Sequence, residues 1–169
     1  MKLWPSIFMT IFLINSVPTY AALPDLAKYP VPQKDIFTGT PAPVDLSSYK
    51  GAKTYRTVLT QGAQKGPNFA GHYTVVSFGC GTQCQDNWII DAKTGTIYDR
   101  FSSVIGQTYR LDSTLMIVNP PEEQLKKAYL KYPDQPLLGT METTAQVWKE
   151  NKFELVKTEK WVDAIKDLP

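Results

Sequence analysis

The sequence predicts a mainly β fold: a single β-rich domain carrying one short helix. Three observations lead there. The 169 residues are enough for one core and too few for two comfortable ones. Strand-forming aromatics are plentiful, with 9 Tyr, 7 Phe and 4 Trp beside many Val, Ile and Thr. The 13 Pro and 10 Gly supply the turns that join short strands. Periodicity leaves sandwich, barrel and curved antiparallel sheet all open.

Residues 1–21 read as a secretory signal peptide. Lys2 is the positive charge at the front, an apolar run follows from Ile7 to Ile14, and Thr19-Tyr20-Ala21 places small residues at −3 and −1 of a cut. The apolar run is too short to span a bilayer, and Asn15 interrupts its end. Cleavage near Ala21 is expected, giving a periplasmic or secreted protein. No cysteine stands directly after that cut, so a lipid anchor is not expected, nor any stable membrane anchor after cleavage.

Residues 22–50 carry Pro24, Pro30, Pro32, Pro41 and Pro43. Proline lacks the donor a central strand needs, so this stretch is expected to be an extended arm. Its Leu23, Leu26, Tyr29, Val31, Ile36, Phe37, Val44, Leu46 and Tyr49 are too many apolar residues for a solvated linker, so the arm should pack on the domain and bury some of them. The β-rich domain itself is assigned to residues 51–169.

Within the domain, Tyr55–Thr60 has β-branched and aromatic strand character, and Gln61–Asn68 reads as a polar turn. His72–Phe78 is apolar on both alternating faces, the mark of a strand covered on both sides. Trp88–Asp91 and Thr96–Arg100 flank Ala92-Lys93-Thr94-Gly95 as a hairpin. Leu115–Val118 is a further strand, entered through Asp112-Ser113. The helix is expected near 120–132, with Asn119 as cap, Pro120 and Pro121 in the first turn, and Pro133 as its stop. Ala145–Lys149 and Phe153–Lys157 form a second hairpin turning at Glu150-Asn151-Lys152, and a short turn is expected at Trp161–Ile165.

The formal charge is +2. The lysines are scattered rather than stacked on one predicted helix face, which argues against a nucleic-acid or acidic-membrane partner. No phosphate-binding glycine loop, paired-carboxylate motif or GxSxG elbow occurs, and no cofactor is expected.

The chemistry concentrates in Gly66–Cys84, which holds the single histidine and both cysteines. Two cysteines four apart in an oxidising compartment favour a Cys80–Cys84 disulfide, with Gly79 and Gly81 allowing so small a ring. Three other readings use the same residues. A cysteine nucleophile with His72 as base needs a free thiolate within hydrogen-bond reach, yet His72 lies eight positions before Cys80 on one strand. A zinc site wants four ligands, and Cys and His together number three. A redox switch is physically reasonable for a small exposed disulfide, although CxxxC is not the thioredoxin spacing. The structural disulfide stands ahead of all three, with no catalytic and no metal residue assigned.

Asn68-Phe69-Ala70-Gly71-His72-Tyr73, Gly79-Cys80-Gly81-Thr82-x-Cys84 and Asp91-x-x-Thr94-Gly95 resemble a family of small exported bacterial proteins. The likeness runs over roughly residues 45–156, with the paired-cysteine block its most specific part. It implies a bacterial envelope location and brings no catalytic residue with it.

The leading expectation is a non-enzymatic binding or inhibitor-like protein. A disulfide-fixed loop is a pre-organised surface, and His72, Thr82, Gln83, Gln85 and Asp86 are its candidate contacts. The partner would be an unknown protein or small ligand of the envelope. The alternatives are a thiol-dependent enzyme using Cys80 or Cys84 with His72, and an immunity or envelope-stress protein.

Overall fold

The computed structural model describes residues 23–82, 84–120 and 141–161. Among these residues seven strands make two antiparallel sheets. The first is β1 (Tyr73–Gly81), β2 (Cys84–Asp91) and β3 (Ile97–Ser103), in that order. The second is β4 (Gln107–Tyr109), β5 (Leu115–Val118), β6 (Glu142–Lys149) and β7 (Lys152–Lys160). The fold is therefore mainly β, and its sheets stay open rather than closing into a barrel.

The two sheets share a core. Tyr73, Val75 and Ile89 from the first meet Met116, Val118 and Trp148 from the second, with Phe69 wholly buried between them. Aromatic edges meet faces here: Phe69–Trp148 centroids lie 6.2 Å apart and Trp148–Phe153 centroids 4.7 Å apart. The alternate residues of β1 and β2 point the other way. Val76, Trp88 and Ile90 form a second cluster with Leu59 and Ala63. β1 is thus covered on both faces over its first half, as its doubly apolar sequence requires.

The cover on that second face is a helix where a strand was expected. Ala52–Tyr55 is a 3₁₀ turn leading into α1 (Arg56–Ala63). β-Branched Thr57, Val58 and Thr60 favour a strand locally, but Ala52, Tyr55, Leu59 and Ala63 recur at helical spacing and face the sheet. Gly62 permits the approach, since a Cβ there would lie 2.5 Å from Val76 Cγ1. Packing overrides propensity at this position. All but Pro120 of the helix expected near 120–132 lies outside the described residues, as do residues 1–22 and all but Trp161 of the C-terminal turn.

The proline-rich stretch crosses both outer faces in turn. Leu23, Leu26 and Tyr29 pack on Leu115, Ile117 and Ala145 of the second sheet. Val44, Leu46 and Tyr49 then pack on the helix-covered face of the first. Backbone bonds fix it along the way: Val31 N–H to Asp112 O at 2.9 Å, Phe37 N–H to Gly71 O at 2.9 Å, and Asp45 N–H to Gly95 O at 2.9 Å.

Both hairpins form where the sequence places them. Asp91 accepts from Lys93 N–H at 2.8 Å and Gly95 adopts φ +77° in the first. The second is tighter than expected: Glu150 and Asn151 alone make the turn, both with positive φ, and Lys152 already pairs with Lys149. Apart from Pro120, the helix that Asn119 is expected to cap lies outside the described residues, but Asn119 itself has a second role. Its φ is +51°, and its side-chain oxygen accepts from Val104 N–H at 2.7 Å, tying β5 to the loop after β3.

Candidate functional site

The site begins with the direction of the peptide groups along β1. His72 C=O accepts from Ala92 N–H on the β2 side. Tyr73 points its peptide the other way, exchanging bonds with Phe69 at 2.9 Å. At Val75 the side chain of Asn68 fills the same edge, accepting from Val75 N–H at 2.8 Å and donating to Val75 O at 3.2 Å. The alternation of an antiparallel ladder carries this outward direction on to Ser77 and Gly79. There the cover stops. Among the described residues nothing bonds to the outward N–H and C=O of Ser77 or Gly79, though Gln107 donates to the Ser77 hydroxyl at 2.7 Å.

Beyond Gly79 the strand bulges and turns. The register shifts between Gly79 and Gly81, and a Cys80–Cys84 disulfide closes the hairpin with Cα atoms 5.1 Å apart. Gly81 takes φ +138° to make the turn. The sequence-predicted bridge is present, and no free cysteine remains.

Hollows lie on both sides of this free edge. One of about 570 Å³ is walled by Lys53, Thr54, Tyr55, Arg56, Phe78 and Gly79. A second, about 320 Å³, is walled by Gln61, Lys65, Asn68, Ser77 and Tyr109 among others. On the hairpin side a third of about 320 Å³ is lined by Ser77, Gly79, Gly81, Cys84, Gln85 and Val104. A larger hollow of about 600 Å³ opens beside the hairpin tip, between Thr82, Phe101, Val104, Val118, Asn119 and Glu142. Among the described residues its lining mixes apolar side chains with Ser102, Thr144 and Gln146, and Glu142 is its one charged group.

The structure divides the residues singled out from sequence. Thr82 is exposed at the hairpin tip and Gln85 is half-buried at its base, so these two share one end of the sheet with the disulfide. Gln83 lies outside the described residues. Asp86 is not a loop contact. It sits in β2, 1% exposed, and takes two bonds from Arg100 at 2.8 and 2.9 Å. Those bonds raise the Arg100 guanidinium further above its already high ordinary value.

His72 is at the far end of β1, eight residues and about 26 Å from Cys80 at strand rise. It stacks on Tyr73 with centroids 4.1 Å apart, and burial first, then Lys93, lowers its pKa. His72 and the cysteines therefore form no dyad, and both sulfurs are held in the bridge.

Sequence reasoning missed Ser77, Gly79, Lys53, Arg56 and Lys65. A signal for the basic residues was present: from Leu46 to Gln85 the chain has Lys50, Lys53, Arg56 and Lys65 and no carboxylate. The strand reading of Tyr55–Thr60 concealed that three of these line hollows beside one edge. No family model, curated protein or solved structure matches the chain.

Proposed function

We propose that the chain is an exported, non-enzymatic binding protein of the bacterial envelope, acting through the disulfide-closed end of its first sheet. The carrying observation is the hairpin itself: a covered strand that emerges from the core and ends in a ring closed by Cys80 and Cys84. A surface held this way loses little conformational entropy when a partner docks. Residues 1–21 support export, and a disulfide suits the oxidising compartment that export leads to. An inhibitor-like role fits the same surface, because a rigid loop can occupy another protein's cleft without being remodelled.

Two measurements test this reading. Intact mass of the protein from a periplasmic fraction should correspond to a chain beginning at Ala22; a full-length mass there would overturn the export signal. Immobilised protein should retain a defined partner from envelope extract under non-reducing conditions, and that partner should then bind purified protein directly. Alanine at Thr82, Gln83 and Gln85 together should weaken binding at least about tenfold. Unchanged affinity would remove the hairpin from the binding surface. Asp86 is left out of that set, since its buried ion pair serves the fold.

A further inference from the structure

We infer that the partner presents an extended, acidic polypeptide segment that adds as a fourth strand to the first sheet, along the free edge of β1 at Ser77–Gly79. The inference rests on the binding role proposed above and names what is bound and where.

Among the described residues this edge is unguarded in a way the others are not. Proteins protect sheet edges with charges, bulges, proline or short strands, because unpaired N–H and C=O groups attract further strands. β7 carries Lys152, Glu154, Lys157, Glu159 and Lys160 and a bulge opposite Ala145 and Gln146. β3 carries Asp99 and Arg100 and a register shift against Ile89 and Ile90. β4 is three residues long. The first part of β1 is closed by Asn68. Ser77-Phe78-Gly79 has no charge and no proline, and its bulge comes only afterwards, at Cys80. Among the described residues this short stretch is open, and the disulfide hairpin marks its end.

Charge selects the occupant. A strand laid on Ser77–Gly79 would send alternate side chains to opposite faces of the sheet. On the α1 side they would meet Lys53, Arg56 and Lys65, none of which has an ion-pair partner among the described residues. No carboxylate lies in the sequence between Asp45 and Asp86, and Asp86 is already neutralised by Arg100. Acidic side chains two apart on the incoming strand match this face. The same charges disfavour a second copy of the chain, whose own basic α1 would be brought against this one.

The test uses the protein purified as exported and two short capped peptides, one alternating Glu and Val and one alternating Lys and Val. The Glu peptide should bind and shift the Ser77 and Gly79 amide resonances. Gly79→Pro and Ser77→Pro each remove an outward N–H without touching the β1–β2 ladder, and should weaken it at least about tenfold. Gly79→Ala is the folded control, because a Cβ there meets nothing within 4 Å, and should bind as wild type. Methylating alternate peptide nitrogens of the Glu probe gives the same readout with the protein unaltered. Reversing Lys53, Arg56 and Lys65 to Glu should abolish binding of the Glu peptide.

The inference is overturned if neither peptide binds, if the Lys peptide binds as well, or if both proline variants and the methylated probe leave affinity unchanged. It is also overturned if the protein is a dimer that Gly79→Pro dissociates, which would seat a second copy on the edge. Partner capture that depends on Thr82, Gln83 and Gln85 would survive any of these failures, so the two readings are separable.

Discussion

Arg100 clasps Asp86 from the neighbouring strand, Nε to Oδ1 at 2.8 Å and Nη2 to Oδ2 at 2.9 Å, while its guanidinium carbon stands 4.9 Å from the Trp88 ring centre. The carboxylate is 1% exposed and the arginine side chain 38%. Such a pair adds little over two apolar residues, yet removing one partner strands a buried charge. Arg100→Ala should therefore lower stability in urea by about 3 kcal/mol. Arg100→Lys should restore less than half of that, since an ammonium lacks both the fork and the planar face that meets Trp88 and Tyr55. A loss below about 0.5 kcal/mol for the alanine variant would place the pair with ordinary surface bridges.

The Cys80–Cys84 bond should behave as a local clamp. Its sequence separation is 4, for which the chain-entropy relation gives about 2 kcal/mol. Replacing both cysteines by serine should cost that much or less. It should leave the far-ultraviolet spectrum intact and speed amide exchange between Gly79 and Gln85 alone. Global loss of protection would show instead that the hairpin nucleates the sheet.

Much of this fold was legible because several segments obey one local rule without competition. His72–Phe78 and Leu115–Val118 have apolar runs of strand length. Asp91-Ala92-Lys93-Thr94-Gly95 also has the side-chain acceptor and the positive-φ glycine a hairpin needs. The Asn68–Gly71 segment has a physical role that spacing alone did not disclose. Asn68 closes the β1 edge, Phe69 fills the inter-sheet core, and Ala70 and Gly71 make a left-handed corner. Residues 55–60 misled because β-branching and a helical apolar repeat coexist there, and contact with Val76 decided between them. The free edge was illegible for a deeper reason. Which peptides of a strand face outward depends on its pairing partner, and side-chain pattern carries no record of that.

The contact between the arm and the first hairpin makes a sharp test of how tightly the arm is held. At Gly95, with φ +77°, a Cβ would lie 1.9 Å from the carbonyl oxygen of Pro43. Gly95→Ala should cost about 2–3 kcal/mol through backbone strain and displacement of the arm. Trypsin should then cut faster at Lys50. Gly51→Ala is the matched control: φ is +87° there with nothing within 4 Å, so only the roughly 1 kcal/mol conformational cost should appear. Equal losses at the two positions would mean that the arm yields freely at Pro43.

His72 should make the protein less stable in mild acid. Burial is the main cause that lowers its pKa below the ordinary 6.5, with Lys93 adding to it and Asp91 and Asp35 opposing. The unfolded chain then takes up a proton at higher pH than the folded one. Stability contributed by the neutral imidazole is full above about 6.5 and falls as pH drops through that value toward the folded pKa. Melting temperature should decline from pH 7 to pH 5, and His72→Gln should flatten that decline. Because the chain contains one histidine, its ring-proton resonance can be followed without assignment. A midpoint of 6.5 in the folded protein would remove the effect, and one above 6.5 would reverse its sign, so that acid would stabilise through this residue rather than weaken the fold.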